Sequence, residues 1–313
     1  ALDGASRTGH WSRMDLWILA TLSAATFQTV RFMLQKVLAG GRLSAVGSTF
    51  ARFAYASPAG LMVLGLVLWT RGQALPQIMP DFWGWALFGG LGQILATVFV
   101  VMTFRTRNFA VGITLKKTEV ILTALLGLVV LGEALSLAGW LGICVGLAGV
   151  LLLSGAPEIE GNLLRQLRSP AVLYGLGSGL FFAVAGVGYR AATLSVASDD
   201  PILRAAVALV WVTTGQALIM AAWLAWREPG EIARVWQARG TAAWLGVTSA
   251  AGSLSWFTAF TLQTAAYVYA VGQVELILSL AASVLWFREK VSARELLGIA
   301  VLTVSVVTLA LVA

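Results

Sequence analysis

Two lysines and a glutamate crowd one short stretch, Lys116-Lys117-Thr118-Glu119, inside an otherwise apolar run. A second glutamate, Glu275, stands in an equally apolar run 156 positions further on (275 − 119 = 156). Ionised groups cost several kcal/mol in hydrocarbon, so where they occur they face protein or a wet cavity and commonly mark the path of a charged solute. Lys116, Glu119 and Thr123 follow i, i+3, i+7 spacing and share one helical face, matched in the second run by Gly272, Glu275 and Ser279. Gly272 replaces Lys116 and Gln273 replaces Lys117, so a site between the runs is crowded and cationic on one side and open on the other. Two readings stand for these groups. Either Lys116 and Glu119 neutralise each other as a buried pair that joins helices, with Glu275 a structural hydrogen-bonder, or the carboxylates and ammonium groups hold a solute.

Neutral polar groups recur at similar depth: Gln28, Gln93, Tyr189, Gln216 and Ser253. Trp211 and Trp256 lie too deep in their apolar runs for an interfacial belt. Amides, hydroxyls and aromatic walls with few fixed charges suit small zwitterions such as amino acids, whose amino and carboxyl groups need only a few polar contacts. The expected substrate-binding set is therefore Glu119, Glu275, Lys116, Lys117, Gln28, Gln93, Tyr189, Trp256, Gln273 and Trp211. Polar contacts that only pack helices would use the same residue types. Arg52 is expected to bind helix-end carbonyls or a carboxylate at the rim, and Arg31 to snorkel to the headgroups.

Other chemistries lack their residues. The chain has one histidine, His10, and one cysteine, Cys144, which leaves no Ser–His dyad, disulfide within the chain, or His/Cys metal site. No G-x-x-x-x-G-K-[ST] loop is present for ATP. The expectation is a non-enzyme without cofactor or metal. Net charge +7 sits mostly in loops, where anionic headgroups rather than nucleic acid account for it.

The elements that must position these groups are membrane spans. Apolar residues make up 59% of the chain and charged ones 11%. Ten stretches approach the length needed to cross a hydrocarbon core about 30 Å thick: 14–35, 44–69, 82–104, 109–131, 136–153, 171–194, 202–226, 241–262, 266–286 and 293–312. At 1.5 Å per residue, Glu119 and Glu275 lie near the midplane, some 15 Å deep. Trp69, Trp83, Trp85, Trp223, Trp226, Trp244 and Trp286 fall near span ends as anchors. The organisation expected is 1–155 as a first five-helix repeat, 156–170 as a connecting loop and 171–313 as a second repeat. Glu119-Val-Ile-Leu-Thr123 with Glu133, Ser136 and Gly142 recurs as Glu275-Leu-Ile-Leu-Ser279 with Glu289, Ser292 and Gly298. The second motif comes five apolar segments after the first, and an odd number of crossings turns the second copy upside down, the arrangement typical of transporters. The fold class expected is an all-α integral membrane protein with ten transmembrane helices as two inverted repeats. Loops holding Arg42, Arg105, Arg165, Arg227, Arg288 and Arg294 carry the larger share of basic residues, which places both termini away from the cytoplasm.

Glu133 and Glu289, each followed by a serine, read as helix-end charges. Gly142, Gly146 and Gly149 form a small-residue stripe suited to close helix packing or to a dimer contact, so oligomeric state stays open. Gly175, Gly177, Gly179, Gly186 and Gly188 give the sixth span a smooth surface.

The quoted twin motifs also carry a family resemblance. Each half has a Glu–apolar run, then an L-G-E-like turn, Leu131-Gly132-Glu133 and Phe287-Arg288-Glu289, then a Gly-rich last span, and the second span opens with Arg52-Phe53-Ala54. This resembles the EamA type of the drug/metabolite transporter superfamily and, within it, the bacterial amino-acid exporters, including the aromatic amino-acid branch. The resemblance implies a cavity between the first four and the sixth to ninth spans, with the fifth and tenth outside. It also implies export of amino acids or related metabolites across the bacterial inner membrane; a multidrug or nucleotide/phosphate-metabolite carrier of the same fold, or a passive channel, is the alternative.

Overall fold

A computed structural model describes residues 4–41, 43–104, 106, 109–154, 169–287 and 292–312. Arg42, Arg105, Arg107, Arg288, Glu289, Lys290 and most of the connecting segment 156–170 lie outside the described residues, as do the side chains of His10, Ser279 and Trp286.

The helices start and stop where side chains can replace lost backbone partners. They are α1 (Gly4–Gly41), α2 (Ala45–Arg71), α3 (Asp81–Thr103), α4 (Phe109–Lys116), α5 (Glu119–Leu131), α6 (Leu137–Leu153), α7 (Pro170–Leu194), α8 (Pro201–Arg227), α9 (Glu231–Gln237), α10 (Arg239–Leu262), α11 (Ala265–Gly272), α12 (Val274–Phe287) and α13 (Ala293–Val312). Ser44, Ser136 and Ser169 accept hydrogen bonds from the backbone two or three residues into α2, α6 and α7, and Asp200 does so for α8. Proline opens α7 and α8, where its missing N–H costs nothing. Gly72 ends α2 with φ 60°, a left-handed cap that favours glycine. Among the described residues the only β pairing is one isolated antiparallel bridge, Ile78 to Val196.

Two expected helices, 109–131 and 266–286, are each interrupted near their middle. Lys117 N–H and Thr118 N–H bond back three residues to the carbonyls of Thr114 and Leu115, both at 3.1 Å, tightening the helix by a turn before α5 begins at Glu119. In the second half Gln273 N–H reaches Ala270 at 3.2 Å. The Gln273 amide takes the Tyr269 carbonyl (3.1 Å) that a regular helix would have given to the Gln273 backbone. Thr118 Oγ1 likewise donates to the Leu115 carbonyl. Side chains competing for i−3 and i−4 carbonyls explain both interruptions. The first expected span, 14–35, is in turn shorter than α1.

Adding 156 to the bounds of α2 gives those of α8, and adding it to α4 gives α11. The contacts repeat accordingly: α3 packs on α7 as α1 packs on α10, α4 and α5 pack on α7 as α11 and α12 pack on α1, and α2 meets α10 as α8 meets α3. α2 with α8 and α6 with α13 pair helix to equivalent helix. Among the described residues five helices, α2, α3, α7, α8 and α13, are long and apolar enough to cross a membrane, and shorter apolar helices accompany them. Trp69, Trp226 and Trp244 stand exposed near helix ends, as belt anchors do.

The glycine-rich surface of α7 is a packing surface. A Cβ on Gly188 would lie 2.7 Å from the Gly89 backbone of α3, and one on Gly175 would run into the Gly112 carbonyl of α4. On Gly179 it would meet the Lys116 carbonyl at 2.9 Å, so α7 presses directly on the α4–α5 break. The α6 stripe is used inside the molecule: Gly142, Gly146 and Gly149 face Leu309, Ser305 and Leu302 of α13, and Ser305 Oγ donates to the Gly142 carbonyl at 2.7 Å. Gly188→Ala should therefore destabilise the protein by about 1–3 kcal/mol through overpacking. Gly65→Ala, with nothing within 4 Å, should not. Thermal unfolding in detergent measures both, and equal stability of the two variants would contradict the close approach of α3 and α7.

Candidate functional site

The interruptions deliver charges to the middle of the bundle. Lys116, Lys117 and Glu119 flank the α4–α5 break, and Glu275 follows the α11–α12 break; all four are buried. Lys116 Nζ lies 3.2 Å from Glu119 Oε1, within one half. Lys117 Nζ lies 3.2 Å from Glu275 Oε2, across the two halves. Glu275 Oε2 also accepts from Gln28 Nε2 of α1 at 2.8 Å. The Gln28 carbonyl oxygen then accepts from Arg31 Nη2 and from Trp256 Nε1 of α10, each at 3.2 Å. One amide thus ties a carboxylate, a guanidinium and an indole together.

A second network faces it. Tyr189 OH of α7 donates to Gln93 Oε1 of α3 at 2.7 Å, and Gln216 Nε2 of α8 lies within 3.2 Å of Gln93 Oε1 and 3.1 Å of the Tyr189 oxygen. Tyr269 OH donates to the Phe182 carbonyl at 3.1 Å. Between these networks lies a narrow cavity lined by Gln28, Gln93, Lys116, Glu119, Tyr189 and Trp256, with Ser253 and the rings of Phe182, Phe257, Phe260 and Tyr269. The Trp256 and Phe260 rings stack, with centroids 5.7 Å apart, and the Lys116 ammonium sits 4.7 Å from the Phe182 ring centroid, a cation–π contact. Only about 10 Å³ of the cavity is open to the centre of a water molecule, room for one water. The site is polar, aromatic and contracted.

Of the residues expected to bind substrate, Glu119, Lys116, Gln28, Gln93, Tyr189 and Trp256 meet at this cavity. Lys117 and Gln273 instead face a small apolar space toward Ile143 and Gly146 of α6, from which Lys117 grips Glu275. Trp211 does not join the cluster. It is 41% exposed and packs edge-on against Trp83, at the mouth of a separate groove between α3 and α8. Arg31 does not reach for headgroups: it is 3% exposed, bonded to Gln28 and set 4.4 Å from the Phe32 ring centroid. Arg52, also 3% exposed, donates to Thr97 Oγ1 at 2.9 Å rather than to a carbonyl or carboxylate. Glu133 is ion-paired to Arg190 rather than spent on a helix end, although Ser136 does cap α6. Phe182, Phe260 and Tyr269 lacked a sequence signal, because a ring in an apolar helix looks the same facing lipid or cavity.

Breaking one member of a buried ion pair costs about 3–5 kcal/mol, since the other charge is left uncompensated. Glu275→Gln should destabilise the protein by that order. Adding Lys117→Met should restore much of the loss. Melting temperatures of the two single variants and the double variant check this, and a Glu275→Gln protein as stable as the parent would contradict the pair.

The profile of a family described as "EamA-like transporter family" matches residues 15–155 and again residues 169–311. No curated protein sequence matches the chain. Among solved structures, one described only as the crystal structure of a protein is similar over 96% of this chain and 99% of its own, with a TM-score of 0.70 at 18% identity, a likeness of fold.

Proposed function

The chain belongs to the EamA-like transporter family, and is thus a multi-pass membrane protein with two family repeats; from that premise we propose that it is a secondary transporter or facilitator exporting amino acids and related small metabolites across the bacterial inner membrane by alternating access. In this reading the two repeats form ten crossings of inverted topology, and substrate binds near Glu119, Lys116, Gln28, Gln93, Tyr189 and Trp256. The observation that carries it is the cavity itself, ringed by amides, a phenol, an indole and one ion pair and placed beside the paired helix interruptions. Interrupted helices around a buried polar site are what transporters use to bind a solute and then reorient.

Asymmetry between the two ends of the bundle supports alternating access. At one end the halves are tied by backbone bonds from Met79 N to Ser195 O (3.0 Å) and from Ala197 N to Gln77 O (2.9 Å), and by the Arg71–Asp200 pair at 3.1 Å. Arg190 also bridges Glu133 and the Phe260 carbonyl there. At the other end, where the Ser44 N–H bond to Glu231 joins the halves, a depression opens between Ser44, Val98, Met102, Pro170, Tyr174 and Glu228. A contracted centre between a latched end and an open one suits a carrier more than a channel, which needs a continuous path. A phosphate-metabolite carrier would draw on Lys116 and Lys117, yet both ammonium groups are held by glutamates.

Purified protein in liposomes should give saturable uptake and counterflow of several labelled neutral amino acids. Weak binding in the millimolar range, about 4 kcal/mol, is expected from so few polar contacts. Flux that neither saturates nor shows counterflow would mark a channel, and binding without movement a receptor.

A further inference from the structure

Among the described residues the centre of the bundle holds more positive than negative charge. Four buried cations, Arg31, Arg52, Lys116 and Lys117, share it with two buried carboxylates, Glu119 and Glu275. The two lysines take both carboxylates. Glu231, the other buried acid, is bonded to Arg234 and to the Ser44 N–H at the far end of α2. Arg31 and Arg52 hydrogen-bond only to neutral groups, the Gln28 amide and the Thr97 hydroxyl, with the Phe32 and Phe53 rings beside them and Glu275 reached from Arg31 only through Gln28, and Arg31 Nη1 and Arg52 Nε are buried with no hydrogen-bond partner. A buried lysine can shed its proton, but a guanidinium keeps its charge under any physiological condition and must find an anion or water.

Both guanidiniums adjoin the cavity networks. Arg31 shares the Gln28 oxygen with Trp256, and Arg52 lies over Thr97, one turn along α3 from Gln93. Two like charges held together in low dielectric are tolerable where a ligand of opposite sign completes the site. Neither guanidinium lines the cavity itself; its wall holds the Lys116–Glu119 pair and neutral polar groups, and the rest is aromatic, with Phe182, Trp256, Phe257, Phe260 and Tyr269.

We infer that the central site takes organic anions, carboxylates with a flat aromatic or apolar body and no compensating ammonium group, in preference to zwitterions or amines. Arg31 and Arg52 supply the attraction for the carboxylate, and the stacked rings take the body. This rests on the transport reading and shifts its preferred substrate from amino acids to the monocarboxylates among the related small metabolites: a zwitterion brings a carboxylate but no net charge, whereas a monocarboxylate removes part of the excess.

Three solutes of one skeleton separate the possibilities: 3-phenylpropionate, phenylalanine and phenethylamine. Binding to the detergent-solubilised full chain by equilibrium dialysis, and uptake into liposomes, are measured for each. The carboxylate should bind at least about tenfold more tightly than the amino acid, a hydrogen bond to a charged group being the difference. The amine should not bind measurably. Arg52→Gln should lower carboxylate affinity by a similar factor and leave the amino acid nearly unchanged, while Arg52→Lys retains most of the preference and controls for folding. Phenylalanine binding as well as or better than the carboxylate, or no binding of the carboxylate, would overturn the anion inference. Carboxylate binding without uptake of any of the three would instead overturn the transport reading and leave the anion site standing.

Discussion

Ionised side chains held in low dielectric must be compensated, and in this protein that requirement falls on a few residues in the centre of the bundle. Lys117 and Glu275 come from different halves, 158 positions apart, and lie 3.2 Å from each other. Neither is tolerable alone at that depth, so the pair fixes how one half docks on the other. The neighbouring contacts depend on it: Glu275 orients Gln28, and Gln28 in turn holds Arg31 and Trp256. Polar pairing across the halves, rather than apolar packing alone, sets this part of the centre, while Arg31 Nη1 and Arg52 Nε stay without a hydrogen-bond partner. The apolar surface, much of it exposed along α2, α6 and α13, is what a bilayer would cover.

The paired helix interruptions give that arrangement its location. An unbroken helix would satisfy its own backbone and leave only side chains to meet a solute. Here the tight turns at Lys117–Thr118 and Gln273 break the regular helix beside the buried charges, and small residues elsewhere let neighbours close in: Gly179 on the first interruption, Gly186 against the Tyr269 ring, Gly272 against Trp256. A site built on such joints can change shape without unfolding its helices.

Much of this was legible in the residues. Glu119 and Glu275 stand out because carboxylates are rare in apolar runs, the 156-residue offset appears in the twin motif, and Gly142, Gly146 and Gly149 mark a close helix contact that proves to be α6 on α13. The interruptions were not legible, because Thr118 and Gln273 are ordinary helix residues and only their side-chain bonds to i−3 and i−4 carbonyls reveal the turn. The Lys117–Glu275 bond needs the fold, since nothing local to either residue predicts a partner so far away. The place of Arg31 late in an apolar run points to snorkelling; its burial follows from Gln28 one turn before it and Phe32 beside it. Depth alone points Trp211 inward, but a helix apolar on all sides carries no periodicity to say which way a ring points.

Alternating access, the central claim, concerns motion between the two ends, and pulsed spin-label distances in liposomes address it most directly. With exposed Cys144 replaced by serine, one label pair at Ala74 and Asp199 reports the tied end, and another at Thr106 and Arg227 reports the end with the depression. The account predicts two distance populations at each end that shift in opposite senses when transported solute is added, the tied end widening as the other narrows. A single distance at both ends, unmoved by any solute that the protein transports, would contradict it.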